Sequence, residues 1–313
     1  MPKLTRRQFS KLTLAGAAAT TFSAVSGVRV RKAHSLIPRA HGPVLTAGYA
    51  EFEQACRIAA HNLNKVITGW GGPWRESPDH VWTVCTLSDF TIVRTVTGDT
   101  GNPLNPDTAV QEIRETRFYD LKRDAKGADK LIIEIGNEPN AGNQDINTYT
   151  DNLRRTIDAL QANFPGALLC SPALSPNKGV NPQAWYDNPN WRAQVNRCHF
   201  VGVHFYTNDP NGDFTKAGQY NEYTLWESLG LINQLWPGKY AIATEYSIRG
   251  MSLSQYDKGY KYADLIHFNN SVPGNLWGAT YFHIMVDTDP NAPNPDENVG
   301  IEGARGYAKK LHG

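Results

Sequence analysis

The sequence predicts an α/β protein, a single (β/α)8 TIM barrel preceded by an export segment. Three observations lead there. Short apolar, β-branched runs recur along the chain, as strands buried on both faces of a parallel sheet require. Amphipathic stretches of helical period fill the intervals, which is the alternation of βα units. At 313 residues the chain holds one barrel of ordinary size and leaves little room for a second domain.

The elements follow in order. Residues 44–47 form strand 1, and a helix over 50–61 puts Phe52, Ala55, Cys56 and Ala59 on one face. Strand 2 is 65–68 and runs into a glycine-rich loop, 69–74, carrying Trp70 and Trp74. Strand 3 is 90–96, followed by a Gly/Asn/Pro loop and a helix over 108–125. Strand 4, Leu131-Ile-Ile-Glu-Ile135, stops at Gly136-Asn-Glu-Pro-Asn140, because Pro139 lacks an amide hydrogen and restricts Glu138 to extended conformations. A helix over 147–163 ends at Pro165-Gly166 and strand 5 is 167–171. Residues 181–191 are too rich in Pro and Asn for one clean helix. Strand 6 is 199–206, strand 7 is 240–246 and strand 8 is 276–283, with helices over 225–235, 256–268 and 303–311. The count reaches eight.

The first residues read as an address. Two arginines in Thr5-Arg-Arg-Gln-Phe-Ser-Lys11 precede an apolar, small-residue stretch over 12–28, the pattern of a twin-arginine signal with Ser10 where leucine is more usual. The stretch is short and rich in Ser and Thr for a spanning helix. Residues 1–42 are therefore expected to be signal peptide and linker, and 43–313 the barrel. Export by the twin-arginine machinery to the periplasm or exterior follows, with no membrane attachment after signal removal.

Lys plus Arg number 31 against 30 Asp plus Glu, so no long-range field points to nucleic acid or an anionic membrane. A neutral ligand fits better. Four scattered cysteines, Cys56, Cys85, Cys170 and Cys198, suit buried free thiols better than a disulfide scaffold or zinc site. No cofactor or metal is expected: phosphate-binding glycine loops are absent, and Asp287, Asp289 and Asp296 lack calcium-loop spacing.

In such a barrel the strand C-termini converge on one mouth, which brings Glu138 after strand 4 and Glu245 on strand 7 to the same face. Two carboxylates about 5 Å apart can cleave a glycosidic bond by double displacement. The run Ile135-Gly-Asn-Glu-Pro-Asn140 resembles the strand-4 signature of clan A retaining glycoside hydrolases, which are (β/α)8 barrels. The resemblance implies that Glu138 is acid/base, Asn137 binds the sugar 2-hydroxyl and Glu245 is the nucleophile. It also implies an arginine beneath the nucleophile, usually from strand 2; the candidate here, Arg94, ends strand 3. An aromatic hydroxyl or imidazole on strand 6 is expected to orient the nucleophile, and His204 and Tyr206, two apart, face one way. Tyr281 and His283 have the same spacing on strand 8. Trp70 and Trp74 suit stacking on apolar sugar faces.

Each residue also has a plainer reading. Asn-Glu-Pro could be a solvated turn, Glu245 and Arg94 a stabilising ion pair, His204 a core histidine, and the loop tryptophans could pack back onto the barrel. The function expected is a secreted retaining β-glycosidase acting on a poly- or oligosaccharide. A glycan-binding barrel without activity, or a transglycosylase using the same carboxylates, are the alternatives.

Overall fold

The computed structural model describes residues 40–45, 49–68, 78–209, 211–216, 221–249, 253–268, 272–284 and 300–313. Within them β1 (Ala40–Leu45), β2 (Leu63–Ile67), β3 (Phe90–Arg94), β4 (Leu131–Glu134), β5 (Leu168–Cys170), β6 (Phe200–Thr207), β7 (Tyr240–Ile248) and β8 (Leu276–Ile284) close in chain order into a parallel barrel, with β8 pairing back onto β1. The expected export signal, Trp70, Trp74 and the three loop aspartates all lie outside the described residues.

Around the strands run α1 (Tyr49–Ala59), α2 (Pro78–Leu87), α3 (Pro106–Thr116), α4 (Phe118–Ala125), α5 (Ile146–Asn163), α6 (Pro182–Asp187), α7 (Pro189–Arg197), α8 (Leu225–Leu235), α9 (Gln255–Ala263) and α10 (Gly300–His312). The single helix expected over 108–125 is two. Arg117 takes a left-handed φ of 61°, and Thr116 turns its hydroxyl back onto the Ile113 carbonyl at 2.7 Å, so the first helix ends there. The Pro/Asn-rich stretch after β5 likewise gives two short helices, each with a proline in its first turn and an asparagine cap. Gly259 lets α9 meet α10 backbone to backbone, since a Cβ there would fall 1.8 Å from the Gly303 carbonyl oxygen.

Strand alternation sorts the residues into two layers. One apolar tier inside the barrel is built from Ala40, Leu63, Ile92, Ile132, Cys170, Phe200 and Ile242, with Trp277 packed edge-on to Phe90. Two residues further along their strands, with the same inward parity, stand Lys65, Arg94 and Glu134, so a charged tier lies over the apolar one. The opposite parity, including Val66, Val93, Ile133 and Ala243, belongs to the larger core between barrel and helices. All four cysteines are buried free thiols, and burial pushes Cys85 and Cys198 up to about 12.

Where β1, β7 and β8 meet the helices, two buried imidazoles, His41 and His61, and the exposed His267 pair with three phenols. His41 Nε2 is hydrogen-bonded with the Tyr246 hydroxyl, His61 Nε2 with that of Tyr281 at 2.8 Å and His267 Nε2 with that of Tyr307 at 2.5 Å. Burial and the neighbouring imidazole of His267 lower His61 to about 3, and burial with both neighbours holds His41 well below its ordinary value. An unfolded chain takes up a proton at each histidine as the pH falls through its ordinary value of 6.5, whereas the folded chain resists. Folding stability should thus be complete above pH 6.5 and fall by about 1.4 kcal/mol per pH unit per such histidine as the pH drops toward 3. Urea midpoints between pH 7 and 4.5 check this, with a shallower slope expected for His61→Gln.

Candidate active site

The loop that follows β4 is held from two sides. Gly136 adopts φ +63° and comes so close to the β3 loop that a Cβ would sit 2.6 Å from the Gly98 carbonyl oxygen and 2.7 Å from the Tyr149 hydroxyl. The Asn137 amide donates to the Gly98 carbonyl at 3.1 Å and the Glu138 amide to the Ala173 carbonyl at 2.9 Å. Asn140 and Ser175 add a reciprocal pair, 3.1 and 2.8 Å. These bonds fix Glu138 at φ +41°, in the left-handed region and not in the extended conformation that Pro139 predicts. A non-glycine residue there costs about 1–3 kcal/mol and is kept only where its surroundings over-determine it.

Glu245 reaches the same place from β7 by an irregularity. Ile242 lies in the inner apolar tier, and Glu245, three residues on, also points inward, which regular alternation forbids. Pairing with both neighbouring strands shifts register at this point, so a β-bulge turns the carboxylate into the barrel.

Around Glu245 the partners come from three strands, β2, β3 and β6. Arg94 Nη1 donates to Oε1, Tyr206 donates its hydroxyl to Oε2 at 2.9 Å, Lys65 Nζ stands 3.5 Å from Oε1, and His204 Nδ1 3.9 Å from Oε2. Burial by itself would favour the protonated acid. His204, Arg94 and Lys65 outweigh it, with the Tyr206 hydrogen bond, and hold Glu245 far below the ordinary carboxylate range.

His204 Nδ1 also meets Glu138 Oε1 at 2.8 Å. One nitrogen thus touches both carboxylates, and their nearer oxygens lie no more than about 7 Å apart, within reach of a single bond between two sugars. Asn137 donates Nδ2 to Asp99 at 3.0 Å, Asp99 faces Arg94 at 3.5 Å, and Asn137 Oδ1 has no partner. Its carbonyl is left as an acceptor for a hydroxyl.

Asn137, Glu138, His204, Tyr206, Glu245 and Arg94 are therefore together, with His204 and Tyr206 sharing a side as their spacing predicts. Arg94 does end β3, not β2; the β2 cation is Lys65, which sequence reasoning passed over. Tyr281 is not among them. It has the outward parity of β8, is buried against His61 and stacks on Tyr262, so it belongs to the layer under the helices. His283 lies on β8, and its side chain is outside the description, as are Trp70 and Trp74. Two further charged residues enter beside the mouth. Arg249 lies 3.7 Å over the Tyr206 ring and pairs with the buried Glu222 at 3.1 Å. A lysine and a glutamate inside otherwise apolar strands, Lys65 and Glu134, were the available signal for the inner charges.

Among the described residues no cluster of His, Cys, Asp or Glu could hold a metal ion. Gly136→Ala tests the rigid loop. It should lose about 1–3 kcal/mol of stability by urea unfolding, since the φ angle and the close approach both oppose a Cβ.

No family model and no curated protein matches this sequence. Solved structures do. The chain is similar to a family 39 glycoside hydrolase from Bacteroides cellulosilyticus WH2, at TM-score 0.57 and 14% identity over 87% of this chain and 64% of that one. It thus spans a little under two thirds of that enzyme's length. A glucosidase from Croceicoccus marinus matches at TM-score 0.58 and 12% identity, covering 88% of this chain and 67% of the other. A GH5_18 protein from Streptomyces cattleya, solved with GlcNAc, matches at 0.54 and 13%, covering 88% and 79%. At these identities the shared property is the barrel, and glycoside hydrolases are among the structures that share it.

Proposed function

We propose that this protein is an exported retaining glycoside hydrolase that cleaves β-glycosidic bonds of a poly- or oligosaccharide. The observation that carries the reading is the single His204 nitrogen in contact with two carboxylates of different character. Glu245, ringed by two cations and a phenol, suits a nucleophile that is ionised at every working pH. Glu138, the more exposed at 19% against 7%, meets the His204 ring and is open to solvent, which suits a proton donor.

In the first step Glu245 attacks the anomeric carbon while Glu138 gives its proton to the departing oxygen, leaving the sugar esterified to Glu245. Water then attacks the same carbon, Glu138 takes its proton, and the ester bond breaks with its electron pair returning to Glu245. Asn137, whose carbonyl lacks a partner, suits the 2-hydroxyl. The same two carboxylates would also transfer the sugar to an acceptor other than water. Carbohydrate as partner agrees with the near-zero net charge and with the glycoside hydrolases among the structural neighbours. Export to the periplasm or exterior is supported by the paired Arg6 and Arg7 ahead of a small-residue apolar stretch.

Screening gluco-, manno-, xylo- and galacto-configured aryl glycosides and the matching polysaccharides identifies the sugar. Glu245→Ala should then lose roughly three orders of magnitude or more in kcat with the fold retained. Near-normal turnover would remove Glu245 from the reaction. Glu138→Ala should lose about 10²–10⁴-fold on natural substrates and far less on 2,4-dinitrophenyl glycosides, whose leaving group needs no proton. Equal losses on both would count against the acid role.

A further inference from the structure

Below Glu245 lies a buried pair that no role above accounts for. Lys65 of β2 and Glu134 of β4 are both fully buried inside the barrel, with Nζ 2.7 Å from Glu134 Oε2. The same ammonium donates to the Thr244 carbonyl at 2.9 Å and stands 3.5 Å from Glu245 Oε1. Thr244 is the residue before the nucleophile, inside the β7 irregularity, so Lys65 holds both the backbone and the charge of that turn. Taking a lysine and a glutamate wholly out of water is expensive, and well-packed apolar residues would serve folding as well or better. A stability role alone leaves the pair unexplained.

Resting on the function proposed above, we infer that Lys65 is a positioning residue that tunes Glu245 as a leaving group, with Glu134 as the counter-charge that sets how strongly it does so. Glu245 is an anion in the free enzyme, neutral in the ester, and an anion again on release. An ammonium that faces Oε1 stabilises the two charged states and not the ester. It therefore speeds departure of the carboxylate and slightly weakens its attack. During the ester's lifetime Glu134 keeps Lys65 paired, so the buried cation is never without an opposite charge. The field of Lys65 is felt at Glu245, where it favours the ionised form.

The test separates the two chemical steps. On the 2,4-dinitrophenyl glycoside of the sugar that the wild type cleaves, kcat/KM reports formation of the ester and kcat its hydrolysis. The double variant K65M/E134Q removes both charges together and avoids stranding either. Its kcat should fall about tenfold or more, the change expected when a carboxylate becomes one unit more basic. Its kcat/KM should stay within about twofold, KM should fall in step with kcat, and a mass shift of one sugar on the chain should accumulate. E134Q alone leaves Glu245 as the carboxylate that Lys65 faces. It should move the other way, with kcat/KM lowered and no accumulated ester. Parallel losses in kcat and kcat/KM, no change in either, or changes of the same sign in both variants would overturn the inference. Wild-type protein that no 2-deoxy-2-fluoro glycoside labels at Glu245 would instead overturn the function on which it rests, and the inference with it.

Discussion

The structure depends on a balance of charge in a place without water. Inside the barrel, above a tier of apolar side chains, Lys65, Arg94, Glu134 and Glu245 meet from β2, β3, β4 and β7. None can be buried alone at tolerable cost. Each therefore specifies the position of the others, and the strands that bear them must be in register to bring them together. Arg94 and Glu134 are direct neighbours in the β3–β4 ladder, so one error of pairing would dissolve the arrangement. The same balance keeps Glu245 ionised while buried.

A different solution positions Glu138. Among the described residues no ion pair with a lysine or arginine reaches it. Instead the β3, β4 and β5 loops are laced by backbone hydrogen bonds through Gly98, Ala173 and Ser175, and the chain is bent into a φ angle its residue type disfavours. Rigidity comes from packing of one loop on another, and the carboxylate itself stays partly open. Two carboxylates under one mouth thus receive opposite environments, one enclosed by charge and one held by backbone.

Most of the barrel was legible in the sequence because two-faced burial writes β-branched runs plainly, and all eight strands overlap the stretches so identified. Glu138 stood out through the abrupt stop at Pro139, and His204 with Tyr206 through their spacing of two. What escaped has local causes. Alternation along strand 7 would send Ile242 and Glu245 to opposite faces, and a bulge is not written in any residue type. Tyr281 shares the chemistry of Tyr206 and differs only in parity relative to the barrel axis, which an uncertain strand start conceals. Arg117 breaks a helix by a hydrogen bond from its neighbour Thr116, a choice made by tertiary packing over propensity. Lys65 and Glu134 are charges in apolar strands, meaningful only once their proximity is known.

The seam between β1 and β8 carries a kinetic implication. There β1 pairs with β8, and hydrogen bonds join His41 of β1 with Tyr246 of β7 and His61 with Tyr281 of β8, so residues more than two hundred positions apart must find one another before the ring is whole. Contacts of such long sequence separation are slow to form. A ribosome-bound fragment lacking β7 and β8 would present open sheet edges and unpaired imidazoles, and the annulus can shut only after β8 has been made.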